Sequence, residues 1–177
     1  MTSTALIVVD MLNSYDHPDS EPLQASAAEA VPYAGELIEH AHRTGQPVVY
    51  VNDNIGEWRS DQAAIVTAAR AGRRPDLVEP VLPDERALFV VKARHSIFYQ
   101  TPLEYLLRQQ GIGHLVLCGQ VTEQCILYSA LDAHVRHLDV TVARDAVAHI
   151  DPQLAAAALE MMARNMGVTV CPARDLL

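Results

Sequence analysis

Three residues of this 177-residue chain have the chemistry of an acyl-transfer site: Asp10, Lys92 and Cys125. A cysteine attacks a carbonyl carbon once its proton is gone, a carboxylate can take that proton, and an ammonium stabilises the thiolate. Asp10 follows the apolar run ALIVV, Lys92 follows LFVV, and Cys125 lies in the segment after HLVLC. The first turn of a helix, where Cys125 falls, presents free amides and a dipole that lower a thiol pKa, so the sequence predicts a depressed value for Cys125. The basic residues are twelve arginines and one lysine, Lys92. Surface sites accept either cation, and a lone lysine at a strand end marks a place that needs a compact ammonium. The same count also arises by chance in an arginine-biased chain.

Other candidates carry less. Cys118 and Cys171 read as strand residues packed in the interior. His134 with His137, and His40 with His42, lie close in sequence, but neither pair has a third ligand at metal-binding spacing, and surface histidines are expected there. His95 and His149 follow strand ends and could line a pocket. The turn after Asp10 reads Met11–Leu12–Asn13 without glycine, so neither a dinucleotide fingerprint nor a P-loop is present. No cofactor and no metal are expected.

The elements that must position these residues alternate without a break. Strands are predicted at Thr4–Val9, Pro47–Val51, Ala87–Val91, His114–Cys118, Asp139–Ala143 and Val168–Cys171. Val31, Ala34, Leu37, Ile38 and Ala41 recur at helical spacing before Gly45, a C-cap glycine. Ser60 is expected to cap a short helix ending near Gly72, followed by a Pro-rich connection through Pro83. Thr101, Pro102 and Glu104 predict an N-cap, a first-turn proline and a capping-box acid, with Gly111 closing that helix. Thr122 or Glu123 opens a helix to about Val135, and Asp151–Pro152 starts another that ends near Asn165–Gly167. The pattern predicts one domain over residues 1–177, a three-layer α/β/α, Rossmann-like fold with a six-stranded parallel sheet in the order 3-2-1-4-5-6. Ligands of such sheets bind beyond the carboxyl ends of the strands, where strand order reverses. Strands one and four would then be about 5 Å apart, and strand three about 10 Å from strand one, a gap a lysine side chain can lean across.

Composition excludes several classes. Half the residues are hydrophobic and the net charge is −9, which supplies no basic stripe for nucleic acid. No apolar run is long enough for a bilayer. The N-terminus lacks a basic segment and its apolar stretch stops at Asp10, so no signal peptide is expected. Three cysteines make no disulfide framework, and a reducing cytoplasm is the expected home.

The stretches ALIVVDM, VVYVNDNIGEWRSD, FVVKARHSIFYQTPLEYLL and HLVLCGQVTEQCILYSALDA resemble the isochorismatase-like cysteine hydrolases, a superfamily that includes nicotinamidases and N-carbamoylsarcosine amidohydrolases. The similarity runs from Thr4 to about Ile150. It implies Asp10, Lys92 and Cys125 as a triad, a cis peptide between Gln120 and Val121, and an oxyanion hole from the Val121 and Cys125 amides. Zinc-bearing nicotinamidases carry Asp-x-His after strand two; here Asp53–Asn54–Ile55 puts isoleucine at the histidine's place, so the resemblance implies a metal-free site. His137 stands where the family usually has glycine.

Residues and resemblance together predict hydrolysis of a small amide or carbamoyl-type substrate through a thioester. Asn54, Trp58 and Gln124 are the expected substrate contacts, with Tyr15, Phe98 or Tyr128 as walls. Trp58 could equally anchor its loop or a subunit contact. The expected partners are a small-molecule substrate and further copies of the chain in a dimer or tetramer, with no nucleic acid or membrane. Two rivals stand beside this reading: a vinyl-ether hydrolase of the isochorismatase type with Asp10 as acid, and a non-catalytic binding protein on the same fold.

Overall fold

The computed structural model describes residues 3–59 and 61–177. Six parallel strands form its sheet: β1 (Ser3–Val9), β2 (Val48–Asp53), β3 (Leu88–Lys92), β4 (Ile112–Gln120), β5 (Asp139–Ala148) and β6 (Thr169–Cys171), in the order β3-β2-β1-β4-β5-β6. The connecting helices are α1 (Ser20–Thr44), α2 (Gln62–Arg70), α3 (Pro75–Val78), α4 (Leu103–Gln109), α5 (Leu127–Val135) and α6 (Pro152–Met166). Alternation along β1 sorts the core. Leu6 and Val8 pack with residues of α1, α2 and α3 on one face, and Ala5, Ile7 and Val9 with α4, α5 and α6 on the other. A strand buried on both faces must be apolar throughout, which is why ALIVV reads as one run. Each such side chain contributes roughly 1.5–3 kcal/mol of burial. Among the described residues no helix is long and apolar enough to cross a membrane.

The switch point between β1 and β4 depends on Gly119. Its φ is 122°, and a β-carbon there would lie 2.1 Å from the Val9 carbonyl oxygen. Only glycine allows the approach, which brings the end of β4 against the residue preceding Asp10.

Several boundaries differ from the sequence reading. Helix α1 starts at Ser20, eleven residues before the Val31 at which the helical spacing was read, and contains Pro32. Strand β5 continues past Ala143 to Ala148 through a register irregularity against β4, and in this extension the Asp145 side chain accepts the Ala173 amide at 2.7 Å. Ser60, expected to cap α2, lies outside the described residues, and the side chain of Asp61 accepts the Ala64 amide at 2.8 Å. The capping box at Thr101–Glu104 does not form. Helix α4 begins at Leu103, and Glu104 pairs instead with Arg108 and Arg136. Neither Thr122 nor Glu123 caps the helix that follows them. The Thr122 hydroxyl donates to the Ala148 carbonyl, Glu123 accepts the Ile150 and Asp151 amides, and Thr122–Ile126 is a π-helical turn leading into α5. His137 takes φ 59°, so the chain makes the left-handed turn favoured by glycine without one.

Candidate active site

The ends of β1, β2 and β3 and the turn after β4 converge on Asp10, Lys92 and Cys125. Asp10 leaves β1 with φ 52°, a conformation aspartate tolerates better than most residues. Its amide donates to the Val51 carbonyl at 3.0 Å, and its carbonyl accepts from Gln120 Nε2 at 2.8 Å. One carboxylate oxygen accepts the Asp53 amide at 2.7 Å, and the other meets Lys92 Nζ at 2.8 Å. Lys92 crosses from β3 over β2 to make that contact, its side chain 1 % exposed. Its Nζ also lies 3.6 Å from Cys125 Sγ and 3.7 Å from Asp53.

Cys125 sits in the π-helical turn, where the Val121 carbonyl accepts the Gln124 and Ile126 amides. Those bonds flank Cys125 and leave its own amide outside both. The Gln120–Val121 peptide is cis. His95 Nδ1 lies 3.7 Å from Cys125 Sγ, and the His95 ring rests against Tyr128 with centroids 5.5 Å apart.

Burial governs the electrostatics. It is the largest influence on Asp10 and holds that carboxyl above 3.8, against the opposing pull of Lys92. Lys92 is raised, because Asp10, Cys125 and Asp53 together outweigh the cost of burying its charge. The Cys125 thiol is pushed up to about 12, by burial first and by the Asp10 carboxylate second, while Lys92 and the Val121 amide pull the other way. This corrects the expected depression. The helix start and the ammonium are outweighed by burial of the sulfur and by the Asp10 charge. These directions favour a thiol over a thiolate at Cys125, with Asp10 and Lys92 as its charged neighbours.

A cavity of about 310 Å³ opens over these residues. Gln124, Gln120 and His95 line it, as do Asn13, Asp16 and His17 from the loop after β1. Asn52, 3 % exposed, fixes that loop by bonding both the Leu12 amide and the Leu12 carbonyl, at 3.0 and 3.1 Å. Of the substrate contacts expected from sequence, Gln124 faces this cavity. Asn54 and Trp58 line a neighbouring cleft of about 350 Å³ that shares Lys92. Trp58 is 82 % exposed, which leaves it open to a ligand or a second molecule rather than anchoring its loop. Tyr15 and Phe98 are not walls. Tyr15 is buried and donates to Gln120 Oε1 at 3.3 Å, and Phe98 belongs to the core beneath Arg136. Tyr128 reaches the site only through His95.

Asn52 and Asp53, placed by the sequence at the end of strand two, and Gln120, placed after strand four, were given no catalytic role there and contribute contacts to the loop after β1 and to Asp10. The available signal was the polar pair Asn52–Asp53 ending a strand otherwise fully apolar. His134, His137 and His114 gather at the amino ends of the strands, around a separate cleft with Asp139. His149 bonds Ser26 outside the catalytic cavity.

The donor set is poor for a metal. Ile55 offers no donor where a histidine would be needed, and Asp53 Oδ1 is already engaged by the Ile55 amide at 2.7 Å. Among the described residues no group of three or more His, Cys, Asp or Glu side chains could hold an ion. The residues do not fit zinc.

An isochorismatase domain family model matches residues 4–175. An isochorismatase family protein of Bacillus subtilis, YaaI, is 32 % identical over 158 residues, covering 89 % of this chain and 87 % of that protein. The ureidoacrylate amidohydrolase RutB of Enterobacter sp. is 29 % identical, covering 86 % and 78 %. Among solved structures, the N-carbamoylsarcosine amidase from Thermoplasma acidophilum superposes with a TM-score of 0.74 at 31 % identity, covering 97 % of this chain and 96 % of that one.

Proposed function

Because the chain belongs to the isochorismatase family, we propose that it is a cysteine-dependent amidohydrolase that cleaves the C–N bond of a small amide or carbamoyl-type substrate through a thioester. The observation that carries this reading is the single buried ammonium, 2.8 Å from the Asp10 carboxylate and 3.6 Å from the Cys125 sulfur beneath an open cavity. Asp10 takes the thiol proton as sulfur attacks the carbonyl carbon, and the raised carboxyl pKa makes it a stronger base than a surface aspartate. Lys92 offsets the charge passing from carboxylate to sulfur. The Val121 and Cys125 amides are the donors we assign to the oxyanion, a role supported by the flanking bonds that leave the Cys125 amide free of both. Collapse breaks the C–N bond, and the nitrogen departs with the proton from Asp10. Water then cleaves the thioester to the carboxylic acid and restores the thiol. Gln124 would contact the reacting amide, and Asn54 and Trp58 the far end of a longer substrate.

A panel of primary amides and carbamoyl compounds tests the reading by ammonia release. At least one member is expected to be hydrolysed, with activity lost in proportion to alkylation mapped to Cys125. Activity that survives complete alkylation, or cleavage of an enol ether in its place, would replace the thioester route with acid catalysis by Asp10. No cleavage of any class would favour the binding-protein reading. Turnover should also survive exhaustive chelation, since among the described residues no group of His, Cys, Asp or Glu fits zinc. Elemental analysis showing one zinc per chain, removed together with activity, would refute that expectation.

A further inference from the structure

Asp10 has both carboxylate oxygens engaged, one by the Asp53 amide and one by Lys92, and its side chain is only 13 % exposed. The thioester step needs a base that meets water arriving from solvent. His95 is placed for it. It stands on the loop after β3, is exposed, lines the cavity, and brings Nδ1 to 3.7 Å from Cys125 Sγ. An acyl carbon bonded to that sulfur would lie next to a water held by Nδ1. The Tyr128 ring backs the imidazole and limits its swing. The charged and titratable groups sharing the cavity with it are Asp10, Asp16, His17, Asp19, Asp53 and Lys92, with the Cys125 thiol in contact.

We propose that His95 is a second acid–base residue of this site, the base that activates water for thioester cleavage. The proposal rests on the cysteine-hydrolase reading above. Neutral Nδ1 removes a proton from water as its oxygen bonds to the acyl carbon. The C–S bond then breaks, and the imidazolium returns the proton to sulfur, regenerating thiol and imidazole. Imidazole is suited to this because its charge changes near neutral pH.

The test uses p-nitrophenyl acetate, whose leaving group needs no proton, so acylation and deacylation separate. Stopped-flow release of nitrophenolate and mass mapping of acetyl-Cys125 are followed in wild type, His95→Asn and His95→Ala. Because His95 is exposed, the variants should keep the wild-type Tm. The burst is expected to persist while steady-state turnover falls about a hundredfold, the lower end for a lost acid–base group. Acetyl-Cys125 should accumulate, and added imidazole should restore part of the rate in His95→Ala. Wild-type steady-state rates in both variants, with no acetyl-enzyme, would overturn the role of His95 and leave the cysteine reading standing. Wild-type protein that never acetylates Cys125 would remove the cysteine reading and this inference with it.

Discussion

Asp10→Asn should slow turnover by about 10⁴-fold and at the same time speed alkylation of Cys125. The loss follows from removing the thiol's proton acceptor while keeping its shape, a change that in comparable triads costs on that order. The gain follows from charge. The Asp10 carboxylate is the second largest influence holding the Cys125 thiol near 12, and Lys92 opposes it. An amide at position 10 removes the repulsion and leaves Lys92 with the sulfur 3.6 Å away and Asp53 at 3.7 Å. The thiolate fraction at neutral pH then rises, and iodoacetamide consumption mapped to Cys125 should accelerate. A variant that loses turnover and labelling together would show that Asp10 lowers the thiol pKa instead. The pH profile of the wild type has a matching sign. Asp10 works as a carboxylate, and burial raises its pKa above 3.8, so activity should be lost on acidification at a pH above the ordinary aspartate range.

Lys92→Arg is expected to fold and to lose more than a hundredfold in turnover, although twelve arginines serve the rest of the chain. The ammonium is confined, with a side chain 1 % exposed and partners at 2.8, 3.6 and 3.7 Å on three sides. A guanidinium is larger, planar and directional, and cannot place one compact charge between a carboxylate and a sulfur. Displacing a reacting group by about 1 Å can cost a factor of 10². Lys92→Met should be worse for stability, since an unpaired buried carboxylate costs roughly 3–5 kcal/mol. Measured kcat of Lys92→Arg within a few-fold of wild type would show that the site needs a positive charge at position 92 but not a compact ammonium.

Much of this protein was legible along the chain. Uninterrupted apolar runs ending in Asp10, Asn52–Asp53 and Lys92 identified buried parallel strands, and the switch-point rule put Asp10 and the Cys125 turn side by side. The sheet order β3-β2-β1-β4-β5-β6 agrees with that reading. These features are readable because strand burial and strand termination leave local patterns of residue type. Helix starts were less legible at Thr101 and Thr122, where the capping side chains found partners outside the expected box, at Ile97 and Ala148. The properties that tertiary structure alone decided are those set by distances between residues remote in sequence. Tyr15 and Phe98 fell in the core rather than on the cavity wall, Gln120 came to hold the Asp10 carbonyl, and His95 came within reach of the sulfur. The direction of the Cys125 pKa belongs with them. A helix start and a lysine argue for a lowered value, but desolvation and the Asp10 charge reverse it. Local sequence specifies which groups stand at the strand ends; only packing determines how much water and which opposing charges surround them.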